Sequence, residues 1–516
     1  MVREIVTKSM KLNKDLDRYV EQAIEQDRPV KIGWGRAGDE RPKEGEFGVL
    51  THLPKGARVL CLGDLGECVG AANRGGTLTL RGGTGSMLGA FHVSGKTVVE
   101  KDVGDKAGFE MIGGEITIQG SAGDETGAAI SGGLLLVRGH AGDRLGSGMS
   151  GGTVIVMGSV GSEPGAGMIG GRIVISGSCP PPPDGVEMRS IKKTEISEFK
   201  KFLDPMGLSL NEDALVLEPE KNLSEKDEGE GTSCFISEGF EKISLYPNED
   251  SLSEHVPLDH YTLLVQEDSE SDGALLEIPW IISCETAMGA RNWEGIDAPA
   301  IVRTKSRKSD LLLVGRREIS NSIDYVGNCS GMILDISDFP GLNDAEIEGL
   351  LISLRSRMAA NSVIMLRGSI DRIERLFSLV MDLELDGAVV NCATQSGSRL
   401  SSTLPKIGLA SKAMGIGDTG KFVMIEVLHE PDAKDLLIAV ASGCTALVSP
   451  CPEGDLMSKM RELRSGVRGL MREVGVDRID RIGRRNLRAN DFDTAAISGL
   501  RLVGYDRPLK MWLELR

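Results

Sequence analysis

The chain has no apolar run long enough to span a membrane, and its N-terminus, MVREIVTKSMKLNKD, lacks the uninterrupted apolar core of a signal peptide. The expectation is a cytoplasmic protein with no membrane partner. There is no basic excess either. Lys and Arg number 59 against 76 Asp and Glu, giving a net charge of -17, which excludes a dominant phosphate-binding surface and with it a nucleic-acid partner. The nine cysteines form no CxxC pair and no zinc or iron-sulfur spacing, so they read as reduced, mostly buried thiols, and no metal is expected. A length of 516 residues exceeds one core and suits two or three domains.

What the sequence has in abundance is glycine, 66 residues of it, at fixed places. From Gly76, steps of nineteen land on Gly95, Gly114, Gly133, Gly152 and Gly171 without insertion or deletion. Paired columns run from Gly66/Gly70 to Gly161/Gly165 on the same step. Between them lie the β-branched runs RVLC (58), TLTL (77), KTVV (96), EITI (115), LLLV (134), TVIV (153) and RIVI (172), whose second and fourth positions are apolar except Thr97. This pattern predicts a right-handed parallel β-solenoid of seven 19-residue coils over residues 56–178, capped by residues 1–55. The GxG matches are not read as a nucleotide loop, because strands rather than a helix follow them. Asp105, Asp124 and Asp143 share a turn column, where carboxylates accept backbone N–H groups. His92 and His140 fall in different columns and read as solvated turn residues.

The array resembles the GXGXG domain found at the C-terminal end of the glutamate synthase large subunit and in the C subunit of formylmethanofuran dehydrogenase. The segment GDRLGSGMSGGTVIVMG, residues 142–158, carries the likeness best, and the stretch LNKDLDRYVEQAIEQDRPVKI, residues 12–32, resembles the family's lead-in. In those families the domain is structural and packs against catalytic domains.

CPPPP at 179–183 ends the repeats, and residues 179–275 read as a Pro-rich, then acidic, linker region. From 276 to 454, eight short apolar runs begin at 278, 300, 311, 331, 362, 387, 421 and 445, with helical stretches at 344–360, 370–384 and 431–442. This alternation predicts a divergent (β/α)8-like barrel, with a helical extension over 455–516. The gaps before the second and third strands are too short for full helices. This region resembles the flavin-binding central barrel of glutamate synthase at EIPWIISCETAMGA (277–290) and LRSGVRGLMREVGVDRIDRIGRRNLR (463–488). It departs from that family after its seventh strand, where VLHEPDA (427–433) has no glycine to let amides reach a flavin phosphate, and the glycine-rich loop after the sixth, NCATQSGSR (391–399), is only partly similar.

Strand C-termini would present Ser283, Cys284, Glu285, Asp335, Arg367, Asn391, Cys392, Glu426 and Ser449 at the barrel mouth. Asp335 and Glu426 are candidates for an acid/base pair and Cys392 for a nucleophile, while Ser283, Asn391 and Ser449 are candidates for cofactor contacts. The resemblance implies FMN as the family cofactor, whereas the lost loop argues for no cofactor. Two functions follow: a scaffold or assembly subunit related to glutamate synthase, or an FMN-dependent oxidoreductase of that family in glutamate and nitrogen metabolism. Protein partners or self-association are expected, because Leu134, Leu136, Ile155 and Val174 form an outward apolar strip that packs either on a partner or on the chain's own barrel.

Overall fold

The computed structural model describes residues 2–34, 45–220, 240, 242–246, 261–264, 274–276, 278–286, 292–293, 296–297, 299–392, 400–452, 454–476 and 478–505. The chain divides into two compact units. Unit 1 holds Met1–Glu228 with two later segments, Ile319–Ile323 and Leu342–Arg357. Unit 2 holds the remainder.

Unit 1 begins with helix α1 (Val2–Glu25), whose buried Ser9, Asn13, Leu16 and Val20 fall at helical spacing on one face. The Asn13 side chain donates to Gly48 O (2.8 Å) and accepts from Leu50 N (3.1 Å), fixing the helix to the chain that enters the repeats. Strand β1 (Val30–Ile32) is followed by the repeat strands β2 (Arg58–Leu62), β3 (Arg74–Arg81), β4 (Ser94–Val99), β5 (Glu115–Ile118), β6 (Leu134–Val137), β7 (Ser150–Val156) and β8 (Gly170–Ile175). Then come β9 (Val186–Ser190), α2 (Lys193–Leu203) and β10 (Leu215–Pro219). Each repeat strand pairs in parallel with the next at a nineteen-residue offset, as in Val59↔Leu78 and Leu135↔Val154. The residues at the second and fourth positions of the repeat runs are all buried, forming one continuous core.

The expected seven-coil right-handed solenoid is corrected by this topology. The strands belong to one ten-stranded, mostly parallel sheet, ordered β1-β2-β3-β4-β5-β6-β7-β8-β10-β9. The pairing runs past the repeats on both sides: β1 joins β2 in parallel, and β10 covers the β8 edge antiparallel, with β9 beyond it. Outside these strands the repeats meet in parallel only through single bridges such as Val103↔Ala122 and Ala122↔Ala141. The backbone explains why. Two columns of non-glycine residues have positive φ, one running Cys68, Met87, Lys106, Glu125, Arg144 and Glu163 and the other Ala72, Phe91, Glu110 and Ala129. Left-handed residues at these places turn the segment into tight turns, where a strand needs extended backbone.

Side chains tie the turns together on the same step. Asp105 accepts from Asp124 N (2.8 Å), Asp124 from Asp143 N (2.8 Å) and Asp143 from Ser162 N (2.7 Å). A second ladder uses Asp102, Ser121, His140 and Ser159, with exposed His140 Nδ1 accepting from Ser159 N at 2.9 Å. The outward strip is covered within unit 1: Leu136, Ile155 and Val174 are buried against Phe199 and Leu203 of α2 and Val216 of β10.

His92 differs from its solvated expectation. It is fully buried, with Nδ1 2.9 Å from Gly113 O and Nε2 3.3 Å from Thr97 Oγ1, so it is the partner of the one polar residue in the inward columns. Burial holds its pKa below the ordinary value, opposed by the Gly113 hydrogen bond. The native imidazole is therefore neutral, while the unfolded chain takes up a proton near pH ~6.5. The unfolded state then binds more protons, so this residue's contribution to stability falls as pH drops through about 6.5 toward the lower native pKa. Urea unfolding at about pH 7.5 and about pH 5 should show a steeper loss for the parent than for His92→Gln, by on the order of 1 kcal/mol. Equal slopes would place the imidazole elsewhere.

Unit 2 contains, in chain order, β11 (Ile243–Leu245), β12 (Tyr261–Leu264), β13 (Ala274–Leu276), β14 (Trp280–Thr286), β15 (Asn292–Trp293), β16 (Ile296–Asp297), β17 (Ala300–Thr304) and β18 (Leu311–Val314). The short helix α3 (Ile323–Val326) and β19 (Gly331–Asp335) follow, and then α4 (Asp344–Arg355), which belongs to unit 1. The unit continues with β20 (Val363–Ser369), α5 (Ile373–Asp382), β21 (Gly387–Asn391), α6 (Leu400–Met414), β22 (Phe422–Glu426), α7 (Ala433–Ala441) and β23 (Ala446–Pro450). It ends with α8 (Leu456–Val474), β24 (Leu487–Ala489), α9 (Phe492–Ser498) and β25 (Arg501–Leu502).

Strands β14, β17, β18, β19, β20, β21, β22 and β23 form a closed parallel barrel, with β14 pairing both β17 and β23. These are the eight runs read from the sequence. A cluster including Ile281, Leu313, Ile333, Met365, Val389, Met424 and Val448 forms a buried core. The first third is irregular as expected: the hairpin β15–β16 stands between β14 and β17, and only residues 305–310 join β17 to β18. Strands β11, β24 and β25 make a separate three-stranded sheet.

Candidate functional site

The C-terminal ends of the barrel strands place Asp335, Arg367 and Glu426 together. Asp335 ends β19 and is paired in register with Arg367 on β20, while Glu426 ends β22. Arg367 bridges the two carboxylates, through Nη1 to Asp335 Oδ2 and through Nε to Glu426 Oε2 at 2.5 Å. The Asp335 side chain is 1% exposed, and those of Arg367 and Glu426 are 14% and 13% exposed. Asp335 Oδ1 also accepts from the hydroxyl and the amide of Ser337.

Burial raises the Asp335 pKa above its ordinary value, against the lowering influence of the Arg367 charge and the Ser337 hydrogen bonds. Burial works against the charged form of Arg367, but the Glu426 and Asp335 carboxylates outweigh it and hold its proton more tightly. Two carboxylates sharing one guanidinium have their charge compensated within the barrel. Each also has a lone pair committed, which a general base would need for substrate.

The other candidates are placed around the mouth. Asn391 ends β21, in register with Ser369 and Glu426. Cys392 follows it, its amide donating to Glu426 O at 3.3 Å and its Sγ 3.9 Å from Val390 O. Ser449 is fully buried; its hydroxyl accepts from Trp280 Nε1 (2.9 Å) and donates to Pro450 O (3.1 Å). Ser283 on β14 pairs in register with Ile301 and Pro450. Of the six candidates, Asp335 and Glu426 are thus joined through Arg367, with Asn391 and Cys392 next to Glu426 in the pairing, while Ser283 and Ser449 lie on β14 and β23. Residues 393–399 of the loop after β21 lie outside the described residues.

Sequence reasoning missed the caps of the two following helices. Asp432 Oδ1 accepts from Asp435 N (2.8 Å) at the start of α7, Asp435 Oδ2 accepts from Asp432 N (3.1 Å), and His429 Nε2 lies 3.2 Å from the same oxygen. Asp455 likewise caps α8, accepting from Ser458 N at 3.1 Å. The signal was present as D-x-x-D at 432–435 before an apolar helix, a variant of the capping box. Among the described residues, no group of three or more His, Cys, Asp and Glu is arranged to hold a metal ion. No helix among them is long and apolar enough to cross a membrane.

Residues 46–204 match the GXGXG motif family. The match spans the nineteen-residue repeats with β9 and α2, where the resemblance to glutamate synthase lies. No curated protein matches the chain. Among solved structures, the flavin-binding domain of baker's yeast flavocytochrome b2 aligns at 12% identity over 53% of this chain and 81% of its own, with a TM-score of 0.34. The monotopic membrane protein (S)-mandelate dehydrogenase aligns at 12% identity over 48% of this chain and 88% of its own, with a TM-score of 0.29. The formyltransferase/hydrolase complex of Methylorubrum extorquens, solved with methylofuran, aligns at 28% identity over 29% of this chain and 66% of that one, with a TM-score of 0.24. The GXGXG repeats, rather than these superpositions, carry the family resemblance.

Proposed function

We propose that this GXGXG chain is a glutamate synthase-related scaffold or assembly subunit whose barrel does not take up a flavin. The observation that carries this reading is the start of α7. Barrels of this kind hold a ligand's phosphate on loops after the seventh and eighth strands, at a helix N-terminus where free amides and the helix dipole meet the anion. Here Asp432 and Asp435 put two carboxylates at that terminus, engage its N–H groups reciprocally, and would repel a phosphate dianion. Asp455 occupies the corresponding place on α8. The residues present do not fit a flavin phosphate. The Asp335–Arg367–Glu426 bridge supports the same reading, since it compensates inside the barrel the charges that an acid/base pair would need. The assembly role rests on the resemblance of the repeats to domains that pack against catalytic ones.

The purified chain is expected to be colourless in the visible and to show no saturable binding when FMN is titrated in and followed by flavin fluorescence. Light scattering of the native-source protein should show it with partner chains or further copies of itself. A yellow preparation with one FMN per chain would overturn the scaffold reading and support the FMN-dependent oxidoreductase of glutamate and nitrogen metabolism.

A further inference from the structure

Unit 2 contains a cavity of about 580 Å³, well inside the size range of small-molecule sites, which the barrel mouth does not account for. It is lined along α6 by Leu404 and Lys412, past that helix by Gly417 and at the end of α7 by residues 441–443, and it is covered by Leu487 of β24, by Arg484 and by Leu500. Gly417 and residues 442–443 follow α6 and α7 and lead into β22 and β23, so this part of the lining lies by the strand N-termini, whereas Asp335, Arg367 and Glu426 stand at or near strand C-termini.

The lining divides by chemistry. Leu404, Leu487 and Leu500 are each less than 5% exposed and give the cavity an apolar wall. Leu409 at its edge is 64% exposed, an apolar side chain that an occupant would cover. Among the described residues, the titratable groups lining the cavity are both cations, Lys412 and Arg484, in a chain whose net charge is -17. Arg484 is oriented by one donated hydrogen bond, Nη2 to Ser498 O at 2.6 Å, a single use of a group with five N–H donors. An apolar wall with two cations, and no carboxylate among the described lining residues, selects an apolar body bearing one anionic head.

We propose that this cavity is a binding site for an amphipathic carboxylate, with an aliphatic body of roughly eight carbons lying against the leucines and its head between Lys412 and Arg484. The site is separate from the barrel mouth, so it stands whether or not the barrel takes up a flavin.

The test is calorimetric titration of the full chain with octanoate, with octylammonium as the charge-reversed probe of the same body. Octanoate is expected to bind at one site per chain at least about tenfold more tightly than octylammonium. Lys412→Met removes an exposed cation and should cut octanoate affinity by about three- to tenfold while leaving octylammonium no weaker. Arg484→Met should do the same, and because it also frees Ser498 O, its melting curve is recorded alongside. Gly417 lines the cavity and has open space where a Cβ would project, with Ser411 Oγ its nearest neighbour at 3.8 Å, so Gly417→Phe should block both probes without loss of fold. Absence of saturable octanoate binding, equal affinity for the two probes, or full binding by folded Gly417→Phe would each overturn the proposal.

Discussion

Gly133→Val is expected to destabilise unit 1 by about 2–4 kcal/mol, measured as a shift in the urea unfolding curve. Gly133 has φ +89°, and a Cβ there would lie 2.5 Å from Met111 Cε and 2.8 Å from Gly114 O. The methionine can move, but the carbonyl oxygen belongs to the preceding repeat and is held by the sheet. Gly148 provides the internal comparison. It has φ +66° and nothing within 4 Å of an added Cβ, and its column holds Ala72, Phe91, Glu110 and Ala129 in other repeats at similar φ. Gly148→Ala should therefore cost only about 1–2 kcal/mol, the penalty of a left-handed residue alone. If Gly133→Val unfolds with the parent, the close approach between repeats is wrong.

Arg367→Met should cost more, about 3–5 kcal/mol near neutral pH, because it strands the buried Asp335 and the largely buried Glu426, which now share one cation. The pH dependence separates this cause from lost packing. Burial already lifts the native Asp335 pKa despite the opposing Arg367 charge, and removing that charge lifts it further. A carboxyl whose native pKa is raised contributes stability below its unfolded value near 3.9 and loses it as pH climbs through the native value. The Arg367→Met deficit should thus be largest near neutrality and shrink as the solution is acidified toward about pH 5. The triple variant Asp335→Asn, Arg367→Met, Glu426→Gln, which removes all three charges, should recover most of the loss at neutral pH. A deficit independent of pH would mean that the arginine acts through packing alone.

The elements that could be read in the sequence are those whose signal is periodic burial. The repeat strands follow from the step of nineteen with apolar residues at alternate positions, and the barrel strands from short apolar runs between helices. What could not be read depends on conformation without a residue signature. Cys68, Met87 and Lys106 adopt positive φ with no glycine to announce it, and this makes the segments between the repeat strands tight turns. His92 and Thr97 sit in different repeat columns and meet only because the chain folds back between them, so a buried pair looked like an exposed histidine and an odd polar residue. Helix α6 contains Pro405, which argues against a helix on local grounds, and the tertiary context overrides it. At the barrel mouth, position alone brought out Asp335, Arg367 and Glu426, but the ion bridge among them is a matter of side-chain reach that strand spacing does not encode.

The discontinuity of unit 1 bears on how the chain is made. Glu346 on α4 pairs with Lys106 at 2.8 Å and accepts from the Cys68 thiol through its carbonyl, Arg357 reaches Asp17 and Thr51, and Ser320 donates to Phe91 O. Every one of those earlier residues leaves the ribosome long before its partner does. At translation speeds of roughly 5–20 residues per second, the nascent repeats wait on the order of ten seconds for residues 319–357 to emerge. During that interval the turn face that will receive α4 is bare, with Lys106 unneutralised by Glu346. A messenger truncated just after the proline run would therefore encode the repeats without the helix that finishes them, and such a product is a natural client for chaperones.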